Sequence, residues 1–159
     1  VLEGSPKETT YPFDPYAGDP GHSEGWVTFN TPWNTALAYL SSYETGLEIY
    51  DSKLIQSVQT VSLSTSDIRL GVVLNAPLNF NYDKVESGAV VVRTSRGDHL
   101  LLTVVEKTAN STDFVGGIYL DEGRICTDQG MMPVKPGDVI TFTYGLDFFQ
   151  KSYSIDITR

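Results

Sequence analysis

Histidine and cysteine, on which nucleophilic and zinc-dependent catalysis most often depend, are scarce in this chain of 159 residues. The two histidines are His22 and His99, and neither lies in an HxH or HExxH spacing. The single cysteine, Cys126, excludes an internal disulfide and a site built from several thiolates. Neither a Walker loop nor a Gly-x-Gly-x-x-Gly motif is present. We therefore predict that the chain is not an enzyme.

Carboxylates are the remaining source of chemistry, because Asp and Glu together number 20 and the net charge is −9. A pair of facing acids in a cleft could hydrolyse glycosides, but among so many acids a chance pair carries no information. Calcium is better suited to a flexible loop that offers several oxygens. We therefore expect either no cofactor or calcium, with Asp14, Asp19 and Glu24 as its candidate ligands.

The charge of the chain also limits its partners. Nucleic acid is excluded, since its binding needs a basic footprint and the sequence pI is about 4.5. No apolar stretch of the sequence is long enough to span a bilayer. Charged residues make up only 19%, and Tyr and Phe are frequent. This balance favours an extracellular or cell-surface β protein.

Residues 1–46 differ in composition from the rest of the chain. Prolines at 6, 12, 15 and 20 remove backbone donors and fix φ, so no regular element runs through residues 5–26. The segment is nonetheless aromatic, unlike a disordered tail, and we predict an ordered, extended arm that contacts a neighbouring subunit or a ligand. One short helix is predicted between Asn34, as its cap, and Gly46, as its end. The aromatic residues expected to make the contacts are Tyr11, Phe13, Tyr16, Trp26 and Trp33.

From residue 47 to residue 159 the apolar pattern changes to a period of two, which predicts β-strands. Turn residues such as Lys135-Pro136-Gly137-Asp138 separate the strands at intervals of roughly 8–12 residues, as in an all-β sandwich or barrel. The strand candidates are LEIYD, SVQTVSLST, IRLGVVL, LNFNY, AVVVRTS, HLLLTVVEK, FVGGIYL, VITFTYG and YSIDIT.

Two of these strands allow a finer prediction. In VITFTY, the residues Ile140, Phe142 and Tyr144 share the face that we expect in the core. In HLLLTVVEK the apolar run is nearly continuous, so this strand is expected to be buried on both faces or covered by the arm. The SRGDH segment, in which this strand begins, contains Arg-Gly-Asp at 96–98. We interpret these three residues as a hairpin turn rather than as an integrin ligand.

Two stretches stand in an order that resembles a known class of module. The first comprises Glu106, Asn110-Ser111-Thr112 and Phe114-Val115-Gly116, and the second is VKPGDVITFTYG, residues 134–145. Together they look like the immunoglobulin-like modules repeated in bacterial and archaeal adhesins and surface-layer proteins, over residues 58–159. The resemblance implies an immunoglobulin-like antiparallel β-sandwich with a structural role at the cell surface, and no catalytic residue. The departures are Asp113 in place of a glycine, the doubled Gly116-Gly117, and a single acid, Asp147, after the last strand motif.

The first of the two stretches also carries local expectations. Phe114 is expected to fill the core, and Gly116-Gly117 to be the point where the chain turns tightly. Asn110 begins an Asn-Ser-Thr sequon on a corner that we expect to be exposed, so it is a glycosylation candidate.

The leading functional hypothesis is an extracellular structural subunit that self-assembles into a surface polymer, such as a filament, a pilus-like fibre or a surface layer. Its partners would be copies of itself, which the arm contacts. The alternative is a carbohydrate-binding or adhesin module whose exposed aromatics bind a glycan. A hydrolase built on two carboxylates is the weakest hypothesis.

Overall fold

The structure, a computed structural model, describes residues 35–36, 44–64, 68–77, 81–123, 130–145 and 150–159. The chain divides into two units, Val1–Leu40 and Ser41–Arg159, and all the strands below belong to the second. The predicted arm lies outside the described residues except for residues 35–36 and 44–46, as does most of the predicted helix. Of that helix, Thr35, Ala36 and Glu44 have helical backbone, Thr45 does not, and Gly46 begins the first strand.

Within the described residues, the second unit is built from β-strands, which confirms the all-β fold class predicted from the period of two. Val, Ile, Leu and Phe alternate with polar residues along most of these segments, so each strand has one face to bury. The strands are β1 (Gly46–Asp51), β2 (Thr60–Ser62), β3 (Ile68–Asn75), β4 (Ser87–Thr94), β5 (His99–Glu106), β6 (Asp113–Asp121), β7 (Met131–Pro133), β8 (Val139–Tyr144) and β9 (Lys151–Thr158).

The strands form one curled sheet in the order β1-β3-β6-β5-β4-β8-β9-β2, with β7 added beside β6. The sheet has two halves, β1-β3-β6 and β5-β4-β8-β9-β2, and only two residue pairs between β5 and β6 join them. The first and last parts of the sheet approach each other, because β1 contacts β9. In immunoglobulin-like sandwiches, strands A, B and E are neighbours in one sheet, and strands C, F and G are neighbours in the other. The order β1-β3-β6 matches A-B-E, and the order β4-β8-β9 matches C-F-G.

Two pairings in this sheet are parallel, β2 with β9 and β6 with β7, so the sheet is mixed rather than purely antiparallel. In each parallel pair one strand is short: β2 and β7 are each three residues long. The predicted strand SVQTVSLST therefore shrinks to Thr60–Ser62, and β7 was not predicted, since Pro133 lies within it. In the predicted strand LNFNY, the described residues Asn81 and Tyr82 lie outside any strand.

The inward faces of both halves meet in one apolar core. Ile140 and Phe142 are fully buried, as predicted, and Tyr144 is partly buried against the same core. Phe114 is also buried, which confirms its predicted role in filling the core. The largest fully buried side chains are Phe114, Phe142, Ile49, Leu74, Ile118, Met132, Ile140, Ile155 and Ile157.

The prediction that β5 is buried on both faces is wrong, and its alternative, that the arm covers this strand, falls on residues outside the described part of the chain. Its residues alternate strictly between exposed and buried, with Leu101 69% exposed on the outer face. The near-continuous apolar run misled the prediction, because Leu101 and Val105 occupy positions where polar residues are usual.

The prediction of a tight turn at Gly116-Gly117 is also wrong. Both glycines lie inside β6, and neither has a positive φ. Gly116 is required by close packing, since a Cβ there would lie 2.8 Å from the carbonyl oxygen of Thr103 and 2.8 Å from Cγ1 of Val104. The glycine therefore lets β6 cross β5 closely.

Candidate functional site

The residues predicted to make contacts or bind metal lie outside the described residues, so the structure neither brings them together nor separates them. His22 and Cys126 lie outside them as well. Among the described residues, no group of three or more His, Cys, Asp or Glu could hold a metal ion. The predicted residues concerned are Asp14, Asp19 and Glu24 for calcium, and Tyr11, Phe13, Tyr16, Trp26 and Trp33 for subunit or ligand contacts.

The arm contains one serine motif that the sequence predictions overlooked. Residues 21–25 read Gly-His-Ser-Glu-Gly, which has the Gly-x-Ser-x-Gly spacing of a serine nucleophile elbow. That motif needs a strand before the serine and a helix after it, and it too lies outside the described residues. The described strands form a mostly antiparallel sheet rather than the parallel one of an α/β-hydrolase.

Asn110 is exposed, in the turn between β5 and β6, where the sequence analysis placed the sequon. His99 is exposed at the first position of β5. In the part of the chain that the structure describes, no helix is both long enough and apolar enough to cross a membrane.

The Arg-Gly-Asp segment forms the β4–β5 hairpin turn, with Gly97 at a φ of 99°. The Arg96 guanidinium is engaged within the protein, because its Nε donates to both carboxylate oxygens of Asp138 at 3.0 and 2.9 Å. Its Nη2 donates to the carbonyl oxygen of Pro133 at 3.1 Å. The Asp98 carboxylate accepts from the Thr94 hydroxyl at 3.2 Å. These contacts make the segment a structural clasp.

Glu106, the acid of the first sequence motif, is only 4% exposed. Its Oε2 accepts from the backbone N–H of Glu86 at 2.8 Å, and its own backbone N–H donates to the Glu86 carbonyl at 3.0 Å. These two hydrogen bonds fasten the start of β4 to the end of β5. Glu106 therefore links the two strands at this end of the sheet, while its buried Oε1 has no hydrogen-bond partner among the described residues.

The outer surface of strands β4, β5, β8 and β9 is nearly free of charge. We call it the uncharged face. Its acidic and basic residues are Asp156, Arg93 and His99, although the chain carries a net charge of −9. Leu101 is its most exposed apolar residue. The strand registers place on this face Ser87, Ala89, Val91, Arg93, His99, Leu101, Thr103, Val105, Val139, Thr141, Thr143, Ser152, Ser154 and Asp156.

Cross-strand pairs run in regular rows across the uncharged face. Leu101 lies opposite Val91, Val91 lies opposite Thr143, and Thr143 lies opposite Ser152, so one row crosses four strands. The next row pairs Thr141 with Ser154, whose hydroxyl oxygens are 3.2 Å apart. Such pairs stabilise a sheet without introducing charge.

The outer surface of β1-β3-β6 has the opposite character and carries an open groove of about 520 Å³. At one end, Asp113 Oδ1 accepts from Asn75 Nδ2 at 2.7 Å, and Oδ2 accepts from Lys107 Nζ at 2.8 Å. The Lys107 hydrogen bond first, and the Asn75 hydrogen bond second, hold the pKa of Asp113 below its ordinary value. Asp113 is therefore ionised at neutral pH.

The middle of the groove holds a second polar pair, from β1. The Tyr50 hydroxyl donates to Oε2 of Glu48. This hydrogen bond is the main cause that raises the pKa of Tyr50, so the hydroxyl remains a donor at neutral pH. No single sequence motif could have revealed the groove, because its residues come from segments that only the strand registers bring together.

No protein-family model matches the chain, and no curated protein matches it either. The resemblance to surface modules therefore depends on the two sequence motifs alone.

Proposed function

We propose that this chain is a non-enzymatic structural subunit of the cell surface, which self-assembles into an extracellular polymer through the uncharged face. The observation that carries the proposal is this face itself, an almost neutral sheet surface with an exposed leucine on a strongly acidic chain. The resemblance of the two sequence motifs to surface modules supports the cell-surface location.

Electrostatics favours a second copy of the chain as the partner. Two copies that each carry a net charge of −9 repel each other. The repulsion is weakest where the approaching surfaces are uncharged, and there Leu101 and Val91 offer apolar area to bury. Salt screens the remaining repulsion. Association through this face should therefore strengthen as ionic strength rises, the reverse of an interface held by charge pairs.

The experiment compares the full chain with Leu101→Lys by sedimentation velocity over a range of concentrations and salt. Leu101 is exposed, so the variant should fold. We expect its association to weaken by about tenfold or more, because the new lysine would be buried without a partner. Ile55→Lys is the matched control, since Ile55 is 76% exposed on the turn after β1 and makes the same change of charge. A monomeric wild-type chain, or equal effects of both variants, contradicts the proposal.

The predicted arm is the second element of this proposal and needs a separate test. The arm would contact a neighbouring subunit through its aromatic residues. Deleting residues 1–25 and measuring the assembly state by light scattering tests the arm, and the shortened chain keeps every residue of the uncharged face. Assembly that is unchanged by the deletion would show that the arm is not needed, while the Leu101 result would still decide the role of the face.

The non-enzymatic part of the proposal is tested at Ser23, the centre of the Gly-His-Ser-Glu-Gly motif. A fluorophosphonate probe reacts covalently with activated serine nucleophiles, and we expect no labelling of the folded chain. Labelling that disappears in Ser23→Ala would show that the chain is a serine hydrolase and would contradict this part of the proposal.

A further inference from the structure

The groove on the outer surface of β1-β3-β6 has the features of a ligand site, and it lies on the half of the sheet opposite the uncharged face. Its floor includes Val73, and its polar residues come from three different strands and from the connection that follows β5. The polar side chains are held by one another, since Asn75 and Lys107 both donate to Asp113. A ligand would therefore meet a set of groups that is already ordered.

The apolar end of the groove is a rigid turn. Oδ1 of Asp51 accepts from the backbone N–H groups of Lys53 and Ile55, at 3.1 and 2.9 Å. The N–H of Ile55 is the main cause that lowers the pKa of Asp51. Leu54 has a φ of 58°, a conformation that costs energy for a residue with a side chain. Its side chain lies over Gly71, so packing holds the turn in place.

The charges in the groove limit the ligand. Among the described residues that line the groove, Glu48 and Asp113 are acidic and Lys107 is the one basic residue, so an anion would be repelled from the centre of the groove. A cation would be attracted to Glu48, but at Asp113 it would have to compete with Lys107, at the cost of a 2.8 Å ion pair. A neutral ligand is opposed by neither effect.

The hydrogen-bonding groups limit the ligand further. The Glu48 carboxylate has one oxygen engaged by Tyr50 and can accept with the other, while the Lys107 ammonium has further donors. A ligand must therefore both donate and accept, and its remaining surface must pack on Leu54, Ile55 and the Tyr50 ring. Sugars match this description, because their hydroxyls do both and their C–H faces pack on apolar side chains.

We propose that this groove binds a neutral sugar, one or two residues of a glycan. The volume of about 520 Å³ suits a ligand of that size. The site goes beyond the assembly proposed above and does not depend on it, because the two surfaces lie on different halves of the sheet. It differs also from the glycan site expected at the aromatic residues of the arm.

The experiment follows ¹⁵N–¹H spectra of the full chain at low ionic strength, where self-assembly is weakest, during titration with neutral disaccharides of glucose, galactose and mannose, each up to about 20 mM. We expect at least one to shift the signals of β1 and of the Asp51–Gln56 turn, with a dissociation constant on the order of 1 mM. Glu48→Gln should weaken that binding by about tenfold, since a charged acceptor is lost. Asp156→Asn, on the uncharged face, is the matched control and should change nothing.

Three outcomes would overturn the sugar site. One is the absence of any shift at the groove, and another is equal binding by Glu48→Gln and the wild-type chain. The third outcome concerns the charge of the ligand, for which glucuronate is the anionic probe and Nα-acetyl-lysine amide the cationic probe. If either probe binds more tightly than every neutral disaccharide, charge selects the ligand. None of these outcomes bears on self-assembly, which is measured on the other half of the sheet.

Discussion

Arg96 Nε lies 3.0 Å from Oδ1 and 2.9 Å from Oδ2 of Asp138, although 42 residues separate them in sequence. Asp138 is only 5% exposed and also accepts from the backbone N–H of Lys135 at 2.8 Å. The pair joins the β4–β5 hairpin to the Lys135–Asp138 turn that precedes β8. Two segments that look like ordinary turns in the sequence thus form one clasp at this end of the sheet.

Loss of the clasp should destabilise the fold. Asp138→Ala removes the acceptor of three hydrogen bonds, and Arg96→Met leaves a buried carboxylate without its cation. We expect each to lower the free energy of unfolding by about 2–4 kcal/mol. The measurement is urea denaturation followed by far-ultraviolet circular dichroism, which reports the β-sheet.

The double variant supplies the control for this prediction. Because the two side chains contact each other, the double variant should lower the free energy of unfolding by less than the sum of the two single losses. We expect the difference to be at least about 1 kcal/mol. Additive losses would show that Arg96 and Asp138 act separately. Asp83→Asn, an exposed carboxylate between β3 and β4, should have little effect.

Gly116 and Gly117 are neighbours with different packing, which makes them a matched pair. A Cβ at Gly116 would lie 2.8 Å from the backbone oxygen of Thr103, whereas one at Gly117 would meet the Arg69 guanidinium at 3.2 Å. Backbone cannot move aside as a long side chain can. Gly116→Ala should therefore lower the free energy of unfolding by about 1–3 kcal/mol. Gly117→Ala should lower it by less than about 1 kcal/mol.

Thermal and urea unfolding of the two variants checks the glycine prediction. Equal losses would contradict the packing difference between the two positions. Any gain from replacing a flexible glycine by alanine applies to both variants, so it cancels in the comparison.

The sequence predicted strand positions well and strand partners poorly. The alternation in VITFTY identified the buried face of β8, because a period of two reports directly which side chains share a face. The Pro-Gly-Asp turn was also predictable, and Gly137 has the expected positive φ of 91°. These features depend on residues that are close in sequence.

Features that depend on distant residues were missed. The parallel pairing of β2 with β9 joins Val61 to Ile157, and no local pattern encodes that register. The groove was missed for the same reason, since Glu48, Asn75 and Asp113 become neighbours only through the registers of β1, β3 and β6. Chemistry was sought in the arm, where the aromatic and acidic residues cluster in sequence.

The Asp113 carboxylate should make stability depend on pH. Its pKa is lower in the folded protein than the ordinary value near 3.9, because Lys107 and Asn75 bind the ionised form. Such a group stabilises the fold above the unfolded pKa, and its contribution disappears as the pH falls through the folded pKa. Asp113→Asn should therefore be less stable than the wild type at pH 7, and the difference should narrow below about pH 4.

Urea unfolding at several pH values between neutral and acid checks this dependence. Lys107→Gln removes the largest cause of the lowered pKa of Asp113. In the Lys107→Gln background, the change in the free energy of unfolding caused by Asp113→Asn should therefore depend less on pH. A gap between Asp113→Asn and the wild type that stays constant with pH would contradict the assignment.

Leu54 and Gly71 form the last pair whose coupling can be tested. A Cβ on Gly71 would overlap Cδ2 of Leu54 and would lie 3.2 Å from the backbone oxygen of Asp51. Gly71→Ala should therefore displace Leu54 and lower the free energy of unfolding by about 1–3 kcal/mol. Leu54→Gly has two opposing effects, since it relieves the left-handed conformation by about 1 kcal/mol and loses the packing on Gly71.

In the double variant the overlap is absent, because no leucine remains for the new methyl group to meet. We therefore expect Gly71→Ala to cost at least about 1 kcal/mol less in the Leu54→Gly background than in the wild type. Urea denaturation of the four proteins gives this coupling energy. If Gly71→Ala costs the same in both backgrounds, the Asp51 carbonyl rather than Leu54 limits the space, and the wall of the groove would not depend on the leucine.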